Sequence, residues 1–362
     1  MTINEERLVA SFLELVRIDS VSGEEQAVGE RVAAWLRDLG ATVDRDAIGN
    51  VFARLGGQGQ PLLLNAHLDT VVPGKGVQPV VEGGIIRSDG RTILGADDKS
   101  GVAIIVEAVR AGQEQGLRLP PLEVLLTVQE EVGLRGAKAF DLGRLSAREG
   151  IGLDAGGALG TVVVATPSQD SLEVVVHGIA AHAGASPEKG VSAIRVAAEA
   201  IVSMPLGRID EETTANIGTI HGGEATNIVC DRVEMRGEAR SRDPDKLAAQ
   251  VETMRRAFEE TAARHGVSAE VRARHSYRAY RMAPEEPIIQ LLAAGAALVG
   301  VEPVYVGTGG GSDSNVFNAG GIRITNVSTG MDQVHTTREQ IAIADMVRCA
   351  EWLLACLRLR AG

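Results

Sequence analysis

Two short segments, PLLLNAH (61–67) and LEVLLTV (122–128), are nearly continuous apolar runs. A strand with one wet face alternates apolar with polar, whereas runs like these belong to strands covered on both faces by helices. Residues 99–114, between them, have helical character, and 50–55 is a further strand candidate. Helices are also expected at 5–18 and 24–39, the second opened by a capping box of Ser22 and Glu25 and stopped by Gly40. This is the pattern of an α/β layered domain.

Near residue 168 the pattern changes. SLEVVVHG (171–178) reads as a strand, 191–204 as a helix, 213–221 and 229–240 as strands, 244–265 as a helix and 268–277 as a strand. That order is β-α-β-β-α-β, a ferredoxin-like unit. Its clearest strand alternates charged Arg232, Glu234, Arg236, Glu238 and Arg240 with Val233, Met235, Gly237 and Ala239, so one face is solvated and the other buried. Its clearest helix starts at Asp243-Pro244 and carries Leu247, Val251, Met254, Phe258 and Ala262 at helical spacing. After Pro284 the α/β alternation resumes: helix 285–298, an apolar run at 303–306, a Gly-rich loop at 308–311, strand 322–327 and a terminal helix 337–358. A chain of 362 residues exceeds one ordinary core. The expected architecture is a discontinuous α/β domain, 1–167 and 280–362, with 168–279 inserted.

With aromatic residues at 3%, the cores must be filled by Leu, Val, Ile and Ala. A formal charge of -12 serves a phosphate backbone poorly, so nucleic acid is not an expected ligand. The beginning, MTINEERLVASFLELVRI, is acidic and then amphipathic, unlike a secretory signal, and no apolar run reaches membrane-spanning length. A cytoplasmic address is expected and a membrane partner is not. Cys230, Cys349 and Cys356 are an odd set without a signal peptide, hence free thiols rather than a disulfide framework, and the Asn326-Val327-Ser328 sequon is accidental for the same reason.

Five segments place metal-ligand residue types where predicted strands end: NAHLDT (65–70), GADDKSG (95–101), TVQEEVG (127–133), GLDAGG (152–157) and QVHTTRE (333–339). Strand ends at the carboxyl side are where open α/β sheets collect ligands. His67 and Asp69, two apart on an extended segment, point the same way, so Asp69 can orient the imidazole. Adjacent Glu130 and Glu131 would repel in a dry pocket unless one met a metal and the other managed a proton. Taken singly, each segment has a plainer reading: a polar surface pair, a solvated strand end, a helix cap at Asp97 or Asp98, a turn at GLDAGG, a buried histidine at 335. Together, two His, two Asp and one Glu suit zinc or a similar divalent ion, and one bridging carboxylate would hold two ions about 3.5–4 Å apart.

On these segments, with TVQEEVGLRGA and GIAAHAGASPEKGVSA in the same order, the chain resembles the M20 family of metallopeptidases, most closely its peptidase T-like members. The resemblance runs over nearly the whole chain. It implies metal ligands at His67, Asp97 (bridging), Glu131, Asp154 and His335, a supporting Asp69, Glu130 as general base, and a cis Asp97-Asp98 bond. It further implies that the inserted unit is a lid and homodimerisation surface. From it His182 would reach a neighbouring subunit's site to stabilise the oxyanion. Asn227, Arg240 and Gly309, Gly310 and Gly311 match substrate-holding positions.

The expected reaction is metal-assisted hydrolysis of amide bonds in short peptides, most simply a tripeptide aminopeptidase-like activity, with two divalent ions per subunit, Zn2+ first and Co2+ or Mn2+ as alternatives. M20 relatives also include carboxypeptidases, dipeptidases and N-acyl amino acid deacylases, and Arg240 with Asn227 would suit a substrate carboxylate. A catalytically silent peptide-binding protein is the rival from another class, opposed by the intact Glu130 and ligand set. A serine hydrolase lacks its G-x-S-x-G elbow. A phosphate loop at GADDKSG fails because Asp98 stands where glycine is needed.

Overall fold

The apolar run that ends at His67 forms the strand Leu62–His67, which lies parallel to Leu122–Thr127 on one side and Glu149–Ala155 on the other. This is a computed structural model, and it describes residues 2–362. Both faces of the central strands are covered, as the unbroken hydrophobicity requires. Leu63, Leu125 and Ile324 pack with Phe140 and Phe317 on one side of the sheet, while the helix Ala96–Glu114 packs on Leu62–His67 and Glu149–Ala155. The sheet continues outward to Val51–Leu55 and Thr42–Arg45 at one end, and through the parallel strand Arg323–Ser328 to Thr161–Thr166 at the other. A smaller sheet joins Met331–Asp332, Gln340–Ala342, Ile85–Arg87 and Val80–Glu82.

Two compact units make up the chain. One takes in Met1–Val164, Arg281–Gly307 and Ser312–Gly362; the other takes in Ala165–Tyr280 and Thr308–Gly311. The second unit has the strand order Thr213–Gly222, Arg232–Ser241, Ser168–His177, Ala269–Tyr277, all antiparallel, with Gly207–Arg208 on the outer edge. That is the ferredoxin-like arrangement. Its helices Ala193–Ser203 and Pro244–Arg264 are capped by Ser192 and Asp243. Leu172, Val174, Val176, Val233 and Met235 share a core with Met254 and Phe258, and Glu173, Glu234 and Arg236 are exposed. The Gly-rich loop goes with this unit because Thr308 N–H donates to Ala165 O and Arg242 Nη1 donates to Thr308 O.

Two local expectations are corrected. The capping box at Ser22 and Glu25 does not form. The helix begins at Gln26 without a side-chain cap, Ser22 Oγ donates to Asp69, and Glu25 Oε1 accepts from Gly23 and Gln129 N–H. Tertiary partners have taken both side chains: Ser22 donates to Asp69, and Glu25 accepts the Gln129 N–H. The terminal helix begins at Ile343, not 337, because Gln340–Ala342 pairs with Ile85–Arg87 and Glu339 is bonded elsewhere. The three cysteines are free and buried. Among the described residues, no helix is long and apolar enough to cross a membrane.

Candidate active site

Four of the five ligand-type segments leave strands or a helix start at one end of the parallel strands, and the fifth, the turn 333–339, meets them there. His67 is the last residue of its strand and is buried. Its Nδ1 lies 2.9 Å from the main-chain oxygen of Asp69 and 3.6 Å from Asp69 Oδ1. A proton on Nδ1 satisfies that contact and leaves Nε2 free as a ligand atom. His67 Nε2 is 3.0 Å from Asp97 Oδ1 and 3.9 Å from Asp154 Oδ1.

Asp97 and Asp98 open the helix Ala96–Glu114 but have non-helical dihedrals, and the bond between them is cis. The two aspartates divide the readings that sequence left open. Asp98 serves the backbone, accepting His67 N–H and Gly101 N–H at 3.2 Å each. Asp97 faces the imidazoles: its Oδ2 lies 3.1 Å from His335 Nε2, which is also 2.9 Å from Glu131 Oε1. Lys99, which gives GADDKSG its likeness to a phosphate loop, is buried and donates to Ile18 O. Asp154 stands near the end of Glu149–Ala155, and the buried Asn326 donates to its main-chain oxygen.

Glu130 and Glu131 occupy a turn after Leu122–Thr127, entered through Gln129 at φ 53°. Asp69 holds this turn. Its Oδ1 accepts Glu130 N–H at 2.9 Å, its Oδ2 accepts Glu131 N–H at 3.2 Å, and Ser22 Oγ donates to Oδ2 at 2.7 Å.

The electrostatics are those of a cation site. Burial pushes the carboxyls of Glu130, Asp154 and Asp98 well above the ordinary range, with neighbouring carboxylates adding to it. Burial disfavours a charged His67, but hydrogen bonding to Asp69 and Asp97 outweighs it and raises that imidazole well above its usual value. The carboxylates of Asp97 and Glu131 raise His335 to about 10. Protons collect where carboxylates converge, and divalent cations answer the same surplus of negative charge. The donor set fits two such ions. Three groups have ligand atoms lying within 4.8 Å of one another: His67, Asp97 and Asp154; His67, Glu130 and Glu131; and Asp97, Glu131 and His335. Asp97 belongs to two of them and presents a different oxygen to each histidine, as a bridging carboxylate must.

Sequence reasoning missed Asp313 and Glu339. Asp313 is buried at the start of the helix Asp313–Ala319, accepts from Thr127 Oγ1, and has its other oxygen buried without a partner; burial raises its carboxyl to about 6. The signal was an acid two residues after the Gly-rich loop. Glu339 stands in a segment already singled out, four residues after His335.

The remaining predicted residues belong to the second unit. His182 is exposed, and its Nδ1 accepts N–H from Gly184 and Ala185 at 3.1 and 3.0 Å, which puts its proton on Nε2. Asn227 is exposed. Arg240 pairs with Glu238 through Nε and Nη2 at 2.8 and 3.0 Å, and its Nη1 lies 3.4 Å from Gly309 O. Gly311 is required by packing, since a Cβ there would lie 2.2 Å from the Tyr277 ring; a Cβ on Gly309 would meet nothing within 4 Å.

A family model for the peptidase dimerisation domain matches residues 164–266, and one for M42 glutamyl aminopeptidase matches 86–179. The chain is 43% identical to the uncharacterized protein YqjE of Bacillus subtilis, with 98% of each covered. Among solved structures it is similar to aminopeptidase PepT from Bacillus cereus (42% identity, 99% of this chain and 100% of that one, TM-score 0.90). It is also similar to a tripeptidase from Staphylococcus aureus (38% identity, 100% of both chains, TM-score 0.95).

Proposed function

Because this chain belongs to the M20 family of peptidases, in its peptidase T-like branch, we propose that it is a dinuclear metal-dependent aminopeptidase acting on tripeptides and similar short peptides. The observation that carries this reading is the placement of Asp97, with one oxygen toward His67 and the other toward His335. His67, Asp97 and Asp154 would hold one ion, and Asp97, Glu131 and His335 the other. Imidazole and carboxylate donors suit Zn2+ first, with Co2+ or Mn2+ as alternatives. When bound, such ions polarise the scissile carbonyl and acidify a water.

Glu130 then acts as general base. Its carboxylate takes the water's proton and passes it to the leaving amine, and burial makes it a better proton acceptor than an ordinary glutamate. Asp69 keeps it aimed by holding the main chain on both sides of the Glu130-Glu131 bond. His182, with its proton on Nε2, is assigned to the oxyanion of a neighbouring subunit in a homodimer. The match to a dimerisation-domain model supports that assembly.

Cleavage from the amino end is favoured over carboxypeptidase or deacylase action because Arg240 is already engaged by Glu238 and so is a poor receptor for a substrate carboxylate. Asn227 and the open Gly309-Gly310 backbone are assigned to holding the peptide chain. The test is product analysis on di- and tripeptides with free and blocked ends, before and after chelation. Release of the first residue from free tripeptides, lost on metal removal and restored by Zn2+, Co2+ or Mn2+, is expected. Turnover of amino-blocked peptides at equal rate would overturn the aminopeptidase assignment.

A further inference from the structure

Glu339 ends the turn that carries His335, and its carboxylate is buried, 1% exposed. It accepts three hydrogen bonds, all from main-chain N–H groups of one stretch. Leu94 and Gly95 donate to Oε2 at 2.7 Å each, and Asp97 donates to Oε1 at 3.0 Å. Its own main chain is fixed as well: its N–H donates to Thr336 O, and its carbonyl accepts from Ser88 N–H. One side chain thus ties together two ligand-bearing segments that are 242 residues apart along the chain.

The two segments differ in how well the rest of the fold holds them. His67 and Asp154 stand on paired central strands. His335 is half exposed, sits at φ 61° on a turn, and depends on that turn for its place beside Asp97 and Glu131. A carboxylate suits the junction because it offers acceptors at both oxygens and no donor, matching three converging N–H groups.

We propose that Glu339 is a positioning residue for the metal centre. It fixes the main chain at Asp97 against the His335 turn, so that Asp97 Oδ2, Glu131 and His335 converge on one ion. This rests on the dinuclear reading above. Outer residues that orient ligands typically change metal affinity or activity about 10–100-fold when altered, and the His335-side ion is the one exposed to that loss.

The test is titration of the metal-free protein with Zn2+ by calorimetry and with Co2+ by visible absorption, alongside its thermal midpoint. Glu339→Gln keeps the volume and one acceptor oxygen for Leu94 and Gly95, but sets an NH2 donor against the Asp97 N–H. The expected result is two ions in the unaltered protein; in Glu339→Gln, one ion is weakened about 10–100-fold while the other stays within about threefold, with a changed Co2+ spectrum. Glu339→Asp keeps both acceptors at shorter reach, should recover part of the lost affinity, and serves as the second variant if Gln does not fold. A folded Glu339→Gln with both affinities and the Co2+ spectrum unchanged overturns the proposal. Equal weakening of both ions with a lowered metal-free midpoint also overturns it, since that marks a general folding role. An unaltered protein that binds fewer than two ions strikes the dinuclear reading instead.

Discussion

At the level of single residues, the cluster is organised by carboxylates that bond main-chain N–H groups. The spacing of His67 and Asp69 leads one to expect the Asp69 carboxylate to orient the imidazole. The nearest contact is Asp69's main-chain oxygen at 2.9 Å, with its carboxylate Oδ1 at 3.6 Å, and that carboxylate also accepts the N–H groups of Glu130 and Glu131. That arrangement separates the two glutamates: one side chain is 2.9 Å from His335, and the other is buried near His67. Glu130→Gln is therefore expected to retain both ions and lose turnover about 10²–10⁴-fold, the usual worth of a positioned general base. Glu131→Gln should chiefly weaken metal binding. Metal analysis alongside kcat distinguishes them, and exchanged phenotypes would reverse the two roles.

At the level of elements, the start of the helix Ala96–Glu114 is packed closely against its neighbours. A Cβ on Gly101 would lie 2.3 Å from Asp98 Oδ1 and 2.7 Å from Leu153 Cβ. The glycine lets the helix press against the neighbouring strand while Asp98 caps it and Asp97 is left beside the two imidazoles. Overpacking of this kind typically costs about 1–3 kcal/mol, so Gly101→Ala should lower the thermal midpoint and weaken metal retention together. An unchanged midpoint would mean that the helix start is less tightly packed than these distances require. The same helix is docked to Glu5–Arg17 through Arg7, which pairs with Glu107 at 2.7 Å and Glu114 at 2.8 Å. Removing that arginine would strand the buried Glu107.

At the level of the whole molecule, the proposed reaction needs parts from both units, and the dimer reading says they come from different subunits. Loss of one oxyanion donor typically costs about 10²–10³-fold, so His182→Ala should be nearly inactive while folded and metal-loaded. A Glu130→Gln subunit lacks the base but keeps the histidine. Mixing the two inactive proteins under conditions of demonstrated subunit exchange should restore activity, because one site of each mixed dimer then has both parts. Exchange without recovery would place His182 in its own subunit's chemistry or outside the chemistry altogether.

The sequence by itself determined the layered α/β class, the inserted β-α-β-β-α-β unit and the residue types of the cluster that could hold a metal. Each of these is written in local pattern: unbroken apolar runs, charged-apolar alternation in 232–240, and acids and histidines at strand ends. What only the tertiary structure decided is where polar groups spend their hydrogen bonds. Ser22 and Glu25 read locally as a capping box, yet they support Asp69 and Gln129. Asp97 and Asp98 are identical in type, local pattern alone leaves either as the cap, and their contacts set Asp97 beside the imidazoles and Asp98 on the backbone. Glu339 looked like the first turn of a helix, and instead accepts three N–H groups from a segment far away in the chain. A buried donor must find an acceptor wherever the fold brings one near, and that choice depends on distances through space that spacing along the chain does not encode.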